Sequence, residues 1–267
     1  MRHILPFCFI AMCAVSGLAN DESEETQWGN LCGRFVVQGE VPERKTLRVF
    51  RRAEAFADEP LLDESLIVNE KNQGLANVVI WLYRERSEPR PGIHHSYADS
   101  SEASVEITSS ARNFSPRIAL LRTSQTLQLV NEDTVGHNFR IETRQNQAYN
   151  LLVPAGRRLE KSLSFTSPER IPARVASSIY PWINSYLMVQ DHPFFAVTDE
   201  SGCFEIKDLP IGTWRFRTWH ERTGYLQHVV RGMKEETWPR GQFEIAIKEG
   251  DNNMREIYIA GSSFDDR

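Results

Sequence analysis

Short segments that alternate apolar and polar positions, broken by turn residues, set the pattern of this chain. Ser104-Val105-Glu106-Ile107 and Phe139-Arg140-Ile141 alternate at period two, which turns one side of an extended strand to a core and the other to solvent. Further strands are predicted over residues 34–38, 47–50, 118–121, 126–130, 186–189 and 194–198. The segments 202–206, 212–219, 243–247 and 255–259 read the same way. Residues 159–165 place Leu159, Leu163 and Phe165 on one inward side. Asn77-Val78-Val79-Ile80-Trp81-Leu82-Tyr83 is a β-branched and aromatic run without alternation, which predicts a central strand. Gly39 to Pro42, Asp199-Glu200-Ser201-Gly202 and Leu209-Pro210-Ile211-Gly212 supply turns, and Pro89, Pro91 and Gly92 make 85–101 a loop. No repeat, heptad or low-complexity tract interrupts this. Closely spaced short strands predict an all-β sandwich or barrel.

The first residues depart from the pattern. Arg2 and His3 precede an apolar run from Ile4 to Val15, then Gly17-Leu18-Ala19. That arrangement predicts a secretory signal at 1–19, cut after Ala19, with a run too short to span a bilayer. The expected location is secreted or periplasmic. Residues 20–30 read as an acidic linker. No later stretch approaches the length of an apolar membrane helix, so no transmembrane span is expected in the mature chain. The net charge of −5 and the lack of a basic cluster argue against nucleic acid as a partner. Of four cysteines, Cys8 and Cys13 leave with the signal, and Cys32 and Cys203 remain. No CxxC or CxxCH occurs.

Catalytic signatures are missing. G-x-S-x-G, H-E-x-x-H, a phosphate-binding loop and a dinucleotide glycine fingerprint do not occur, so no enzyme activity and no catalytic residue is expected. His94-His95 with Asp99 reads as a hydrophilic loop rather than a metal clip. His220 reads as a buried structural histidine, or as a residue meeting His137 across an interface. Tyr180, Trp182, Tyr186 and His220 form a candidate binding surface, since Tyr and Trp favour sugar stacking and protein interfaces.

Two sets of residues carry a resemblance. Thr198-Asp199-Glu200-Ser201-Gly202-Cys203-Phe204-Glu205-Ile206 followed by Leu209-Pro210-Ile211-Gly212-Thr213-Trp214 resembles carboxypeptidase-regulatory-like domains, which are small transthyretin-like β-sandwiches. Gly74-Leu75-Ala76-Asn77-Val78-Val79, Asn131 to Asn138, Pro181-Trp182 and Trp219-His220-Glu221 resemble cupredoxin-like domains of secreted bacterial proteins of the methylamine-utilisation-like type, notably those of planctomycetes. The resemblance covers nearly the whole mature chain. It implies a cupredoxin-like Greek-key sandwich at 100–190 and a transthyretin-like sandwich at 191–262. Residues 31–93 would supply N-terminal strands, the first half of that second sandwich. Whether the cupredoxin-like block is inserted in the other sandwich or consecutive with it stays open.

The resemblance also implies a type-1 copper site, with one histidine after a strand and a later C-x-x-H-x-x-M loop. His137 matches, whereas Ser177, Tyr180 and Ile183 stand where Cys, His and Met belong. A hydroxyl is a hard, protonated donor where a soft thiolate is wanted, and Ile183 has no donor atom. Tyr180 would bind only as phenolate, disfavoured by an ordinary pKa of about 10. No metal and no cofactor is therefore expected, with copper at this locus as the alternative. The leading function is a non-enzymatic binding or interaction protein on a degenerate copper scaffold. Its partner, a protein or a carbohydrate, is unknown. The alternatives are a copper-binding electron carrier and a carbohydrate-binding module. If Cys32 and Cys203 lie in one sandwich, a disulfide between them becomes a candidate.

Overall fold

The computed structural model describes residues 27–47, 61–110 and 113–265. The expected signal peptide, most of the acidic linker and most of the strand at 47–50 lie outside them.

The described chain is β throughout. It opens with β1 (Trp28–Gln38) and β2 (Val79–Leu82). Then come β3 (Ser104–Ser110), β4 (Asn113–Ser115), β5 (Ile118–Arg122), β6 (Thr126–Asn131) and β7 (His137–Glu142). They are followed by β8 (Tyr149–Val153), β9 (Arg157–Arg158), β10 (Leu163–Ser164), β11 (Ala173–Ala176) and β12 (Asn184–Gln190). The rest are β13 (Phe195–Val197), β14 (Cys203–Pro210), β15 (Gly212–His220) and β16 (Gly224–Tyr225). The last are β17 (His228–Arg231), β18 (Lys234–Thr237), β19 (Gln242–Ile247) and β20 (Gly250–Ala260).

These strands make four sheets. One runs β14-β1-β20-β17-β18, and a second runs β13-β2-β15-β16 with β19 on β15. Between them lies a core that includes Leu31, Phe35, Ile80, Phe216 and Ile257. β1 pairs in parallel with β20, the last strand, from Gly29↔Gly250 to Gln38↔Ala260, and antiparallel with β14. The stretch β3 to β12 makes the other two sheets, β10-β6-β3-β4 with β9 on β6, and β5-β12-β11-β7-β8. They enclose a second core around Ile107, Phe114, Phe139, Val175 and Leu187. There β3 lies beside β6 and β5 beside β12, both parallel. Parallel neighbours cannot be joined by a hairpin. The chain therefore crosses between sheets, and the result is a two-sheet Greek-key β-sandwich.

The two inner sheets pack face to face. Val79, Trp81 and Trp219 from one meet Ile118 and Met188 from the other, and burying side chains of this size is worth about 1.5–3 kcal/mol each. Tyr186 stands edge-on to Trp219 with ring centroids 4.9 Å apart. This stacking explains the runs that do not alternate. Val78, Ile80 and Leu82 face the first core while Val79 and Trp81 face the shared one. Likewise Leu187 and Val189 face the second core while Tyr186 and Met188 face the shared one. A strand buried on both sides reads as a near-continuous apolar run rather than an alternating one.

A polar clasp closes the junction. Arg117 donates to both carboxylate oxygens of Glu221 at 2.7 and 2.5 Å and to the Asn184 carbonyl at 3.0 Å. Arg122 holds the short turn at His95–Tyr97 through the Tyr97 carbonyl and Ser100 Oγ. Among the described residues no helix is long and apolar enough to cross a membrane.

One predicted strand is reshaped. Residues 159–165 hold only β10, and Glu160 to Ser162 leave the ladder. The Gln128 side chain takes over there, donating to the Leu159 carbonyl at 2.7 Å and accepting from Ser162 Oγ at 2.9 Å. Leu163 and Phe165 are buried as their alternation requires, while Leu159 is only partly so.

The turn at 199–202 shows why glycine is needed at two places. Gly202 has φ +79°, and a Cβ there would lie 2.2 Å from the Phe35 carbonyl. A Cβ on Gly74 would lie 2.1 Å from the Ser201 carbonyl. Backbone meets backbone here, with Phe35 N–H donating to the Gly202 carbonyl and Leu75 N–H to the Phe35 carbonyl. Such an approach leaves no room for a side chain.

Candidate functional site

The loop between β6 and β7 is built by two short polar side chains. Asn131, at the end of β6, donates to the carbonyls of Val135, Val153 and Pro154 and accepts from the Asp133 N–H. These bonds fold the loop back and bring Asp133 under β7. One Asp133 oxygen accepts from Ser109 Oγ at 2.8 Å and lies 2.6 Å from His137 Nε2. The carboxylate thus fixes the His137 proton on Nε2. His137 is fully buried. Its pKa lies below the usual imidazole value because burial outweighs the opposing pull of Asp133, so it is neutral at pH 7.

Asn138 organises the second loop. Its side-chain oxygen accepts from Ser177 Oγ at 3.0 Å and from the N–H groups of Ser178 and Ile179. Its amide donates to Asn150 on β8. Ser177 Oγ in turn accepts from the N–H groups of Ile179 and Tyr180. Two backbone bonds, Ser177 N–H to the Ile183 carbonyl and Ile183 N–H to the Tyr180 carbonyl, close the loop. The Tyr180 ring lies 4.8 Å from that of His137 and edge-on to Trp182 at 5.6 Å. Tyr180 and Ile183 both belong to the second core.

His137, Ser177, Tyr180 and Ile183 are therefore brought together in one cluster. Their donor set does not fit copper. Ser177 Oγ is committed to the loop and Ile183 offers only hydrocarbon, so His137 is the single imidazole of the four. Copper of this kind wants a thiolate and two imidazoles. Among the described residues no group of three or more His, Cys, Asp or Glu side chains is placed to hold a metal ion.

The candidate binding surface of Tyr180, Trp182, Tyr186 and His220 needs correction. Tyr180 and His220 are each 1% exposed, and Tyr186 packs on Trp219 inside the junction. Their apolar rings fill cores and leave no platform for a sugar. Trp182 alone of the four sits at the edge of the second core, half-buried. His220 does not complete the His137 cluster. Its Nδ1 accepts from Arg222 N–H and its ring meets Phe264 edge-on. Burial pushes its pKa down to about 3. His192 bonds to the Leu82 carbonyl and accepts from Phe194 N–H, and burial takes its pKa to about 4.

The candidate disulfide also needs correction. Cys32 and Cys203 are free thiols on neighbouring strands. Cys32 faces Glu205 and Cys203 faces Arg34, so the two are diagonal rather than opposite. Diagonal neighbours sit about 7–8 Å apart, beyond the roughly 4.4–6.8 Å between Cα atoms that a disulfide spans.

Asp133 and Asn138 stood in the sequence only as members of the run Asn131 to Asn138, and their separate roles were not singled out. An Asn or Asp beside a strand end was the available signal, because these side chains bond backbone in turns.

No protein-family model matches the chain, and no curated protein does. Solved structures similar to part of it include a copper-containing nitrite reductase from Thermus scotoductus, at 17% identity and TM-score 0.29. The likeness covers 41% of this chain and 25% of the reductase, so the chain spans about a quarter of that protein's length. A purple cupredoxin from Nitrosopumilus maritimus matches at 19% identity and TM-score 0.27, over 33% of this chain and all of that one. A mutant amicyanin in its reduced Cu(I) form matches at 13% identity and TM-score 0.29, over 39% of this chain and 95% of that one.

Proposed function

We propose that the protein is a non-enzymatic binding protein, built on a cupredoxin-like sandwich whose metal position is filled by packed side chains. One observation carries the reading: the four former ligand positions hold a single imidazole, and the Tyr180 ring packs against it with centroids 4.8 Å apart. The chain division follows from the same reading. Residues 100–190 form a cupredoxin-like unit inserted in a second, transthyretin-like sandwich made by 31–93 and 191–262. Pairing of β1 with both β14 and β20 supports this. The leader-like residues 1–19 support a secreted or periplasmic location.

Titrating the purified full chain with Cu(II) and Cu(I), with visible spectra and metal analysis after desalting, tests the reading. The expected result is no retained stoichiometric copper and no intense visible band. One tightly held copper per chain, lost in His137→Ala, overturns it.

A further inference from the structure

The sandwich formed by β3 to β12 is open along one side. Among the described residues β8 ends its sheet and is bonded only to β7, while β9 and β10 are bonded only to β6. Between these two free edges lies a groove of about 1070 Å³. Tyr149, Leu151, Leu159 and Leu163 give it an apolar lining continuous with the second core. Leu152 stands at its lip, 64% exposed. The wall opposite β8 is held by Gln128, whose side chain bonds to both Leu159 and Ser162.

Two properties select the occupant. Strand edges present N–H and C=O groups in a row, which an extended polypeptide satisfies and a compact small molecule does not. The rim then sets the charge. Among the described residues Arg157, Arg158 and Lys161 border the groove against a single acid, Glu160, on a chain whose net charge is −5. Arg158 is paired with Glu106 at 3.2 Å, which leaves Arg157 and Lys161 against Glu160, a rim of net positive charge. We propose that this groove takes an extended, acidic segment of a partner protein as an added strand along β8. Five residues of β8 match a partner segment of about 17 Å at roughly 3.3 Å per residue. A second copy of this chain fits less well, because pairing β8 with β8 brings two cationic rims together. The inference rests on the binding-protein reading above and not on the state of the metal position.

The test uses the full chain and two dye-labelled, acetylated eight-residue peptides, one alternating Val with Glu and one alternating Val with Lys. Fluorescence anisotropy should show saturable binding of the Val/Glu peptide and at least tenfold weaker binding of the Val/Lys peptide. Amide exchange at 149–153 should slow when the Val/Glu peptide is bound. Arg157→Glu with Lys161→Glu, and separately Leu152→Lys, should each weaken binding at least tenfold, with unchanged circular dichroism confirming the fold. Equal binding of both peptides, binding insensitive to both variants, or no saturable binding overturns the proposal. So does a dimer in sedimentation that Leu152→Lys abolishes, which would make a second copy the occupant. Retained copper would sink the preceding reading and leave the peptide result standing. Failed peptide binding with no copper uptake sinks this one alone.

Discussion

His137 Nε2 and Asp133 Oδ2 lie 2.6 Å apart, four residues from one another in the chain, with the imidazole fully buried at the start of β7. A ligating histidine characteristically gives its second ring N–H to a carboxylate. Here that arrangement stands beside a serine, a tyrosine and an isoleucine, so the pair serves to lock the β6–β7 loop to the core. Asp133→Asn keeps the shape but removes the charge that favours the imidazolium. The His137 pKa, followed by NMR, should fall further below its present value. Asp133→Ala should destabilise by about 1–3 kcal/mol in urea unfolding, since a buried N–H loses its acceptor. A His137 pKa that rises in either variant would contradict this.

Acid should weaken the fold before most carboxylates titrate. His137, His192 and His220 all have pKa values lowered chiefly by burial. Above the ordinary histidine value of about 6.5 both folded and unfolded forms are neutral, and these residues do not affect stability. Below it the unfolded chain takes up protons first, so stability falls with pH. The loss continues to about 4 for His192 and about 3 for His220. Each residue contributes a slope of up to about 1.4 kcal/mol per pH unit in that window. Urea midpoints between pH 7 and 5 should therefore decline. His220→Gln should show a slope smaller by one proton, and an unchanged slope would contradict the assignment.

The Arg117–Glu221 pair should behave as a buried ion pair across the junction, with Glu221 only 3% exposed in its side chain. Glu221→Gln should cost about 3–5 kcal/mol, because it strands the Arg117 charge. Arg117→Met combined with Glu221→Leu should recover much of that loss. A double-mutant cycle on unfolding midpoints measures it, and additive effects would show that the pair is not coupled.

Both thiols should alkylate without reductant. Cys203 is exposed and should react first. The Cys32 thiol is pushed up by burial, then by the nearby Asp251 and Glu205 charges, which lowers its thiolate fraction and slows it. Mass spectrometry under non-reducing conditions should count two adducts on these residues. A species that takes up none would restore the disulfide.

Much of the strand pattern is local and readable. β3 and β7 declare themselves by alternation, and the turn at 199–202 by Asp199 and Gly202, where Asp199 accepts from the nearby Ser201 and Cys203 N–H groups. β8 and β11 escape the reading. Tyr149–Val153 places Leu151 and Leu152 side by side, and Ala173–Ala176 is too short for a period to register. The cluster at His137 was legible as positions, since His137, Ser177, Tyr180 and Ile183 do meet. Asn138's role was not, because its partners Ser177 to Ile179 lie about forty residues away.

The sequence by itself determined that this chain is β, where most of its strands lie, and which donor atoms Ser177, Tyr180 and Ile183 bring beside His137. Those are properties of single residues and of near neighbours. Tertiary structure decided what lies against what. It set β1 beside β20 at the far end of the chain and put Val79 and Trp81 against Met188. It buried Tyr180 and His220, kept Cys32 and Cys203 diagonal, and left the β8 edge open. Each of these depends on contacts between residues distant in sequence, and such contacts are fixed by packing whole sheets together rather than by any local period.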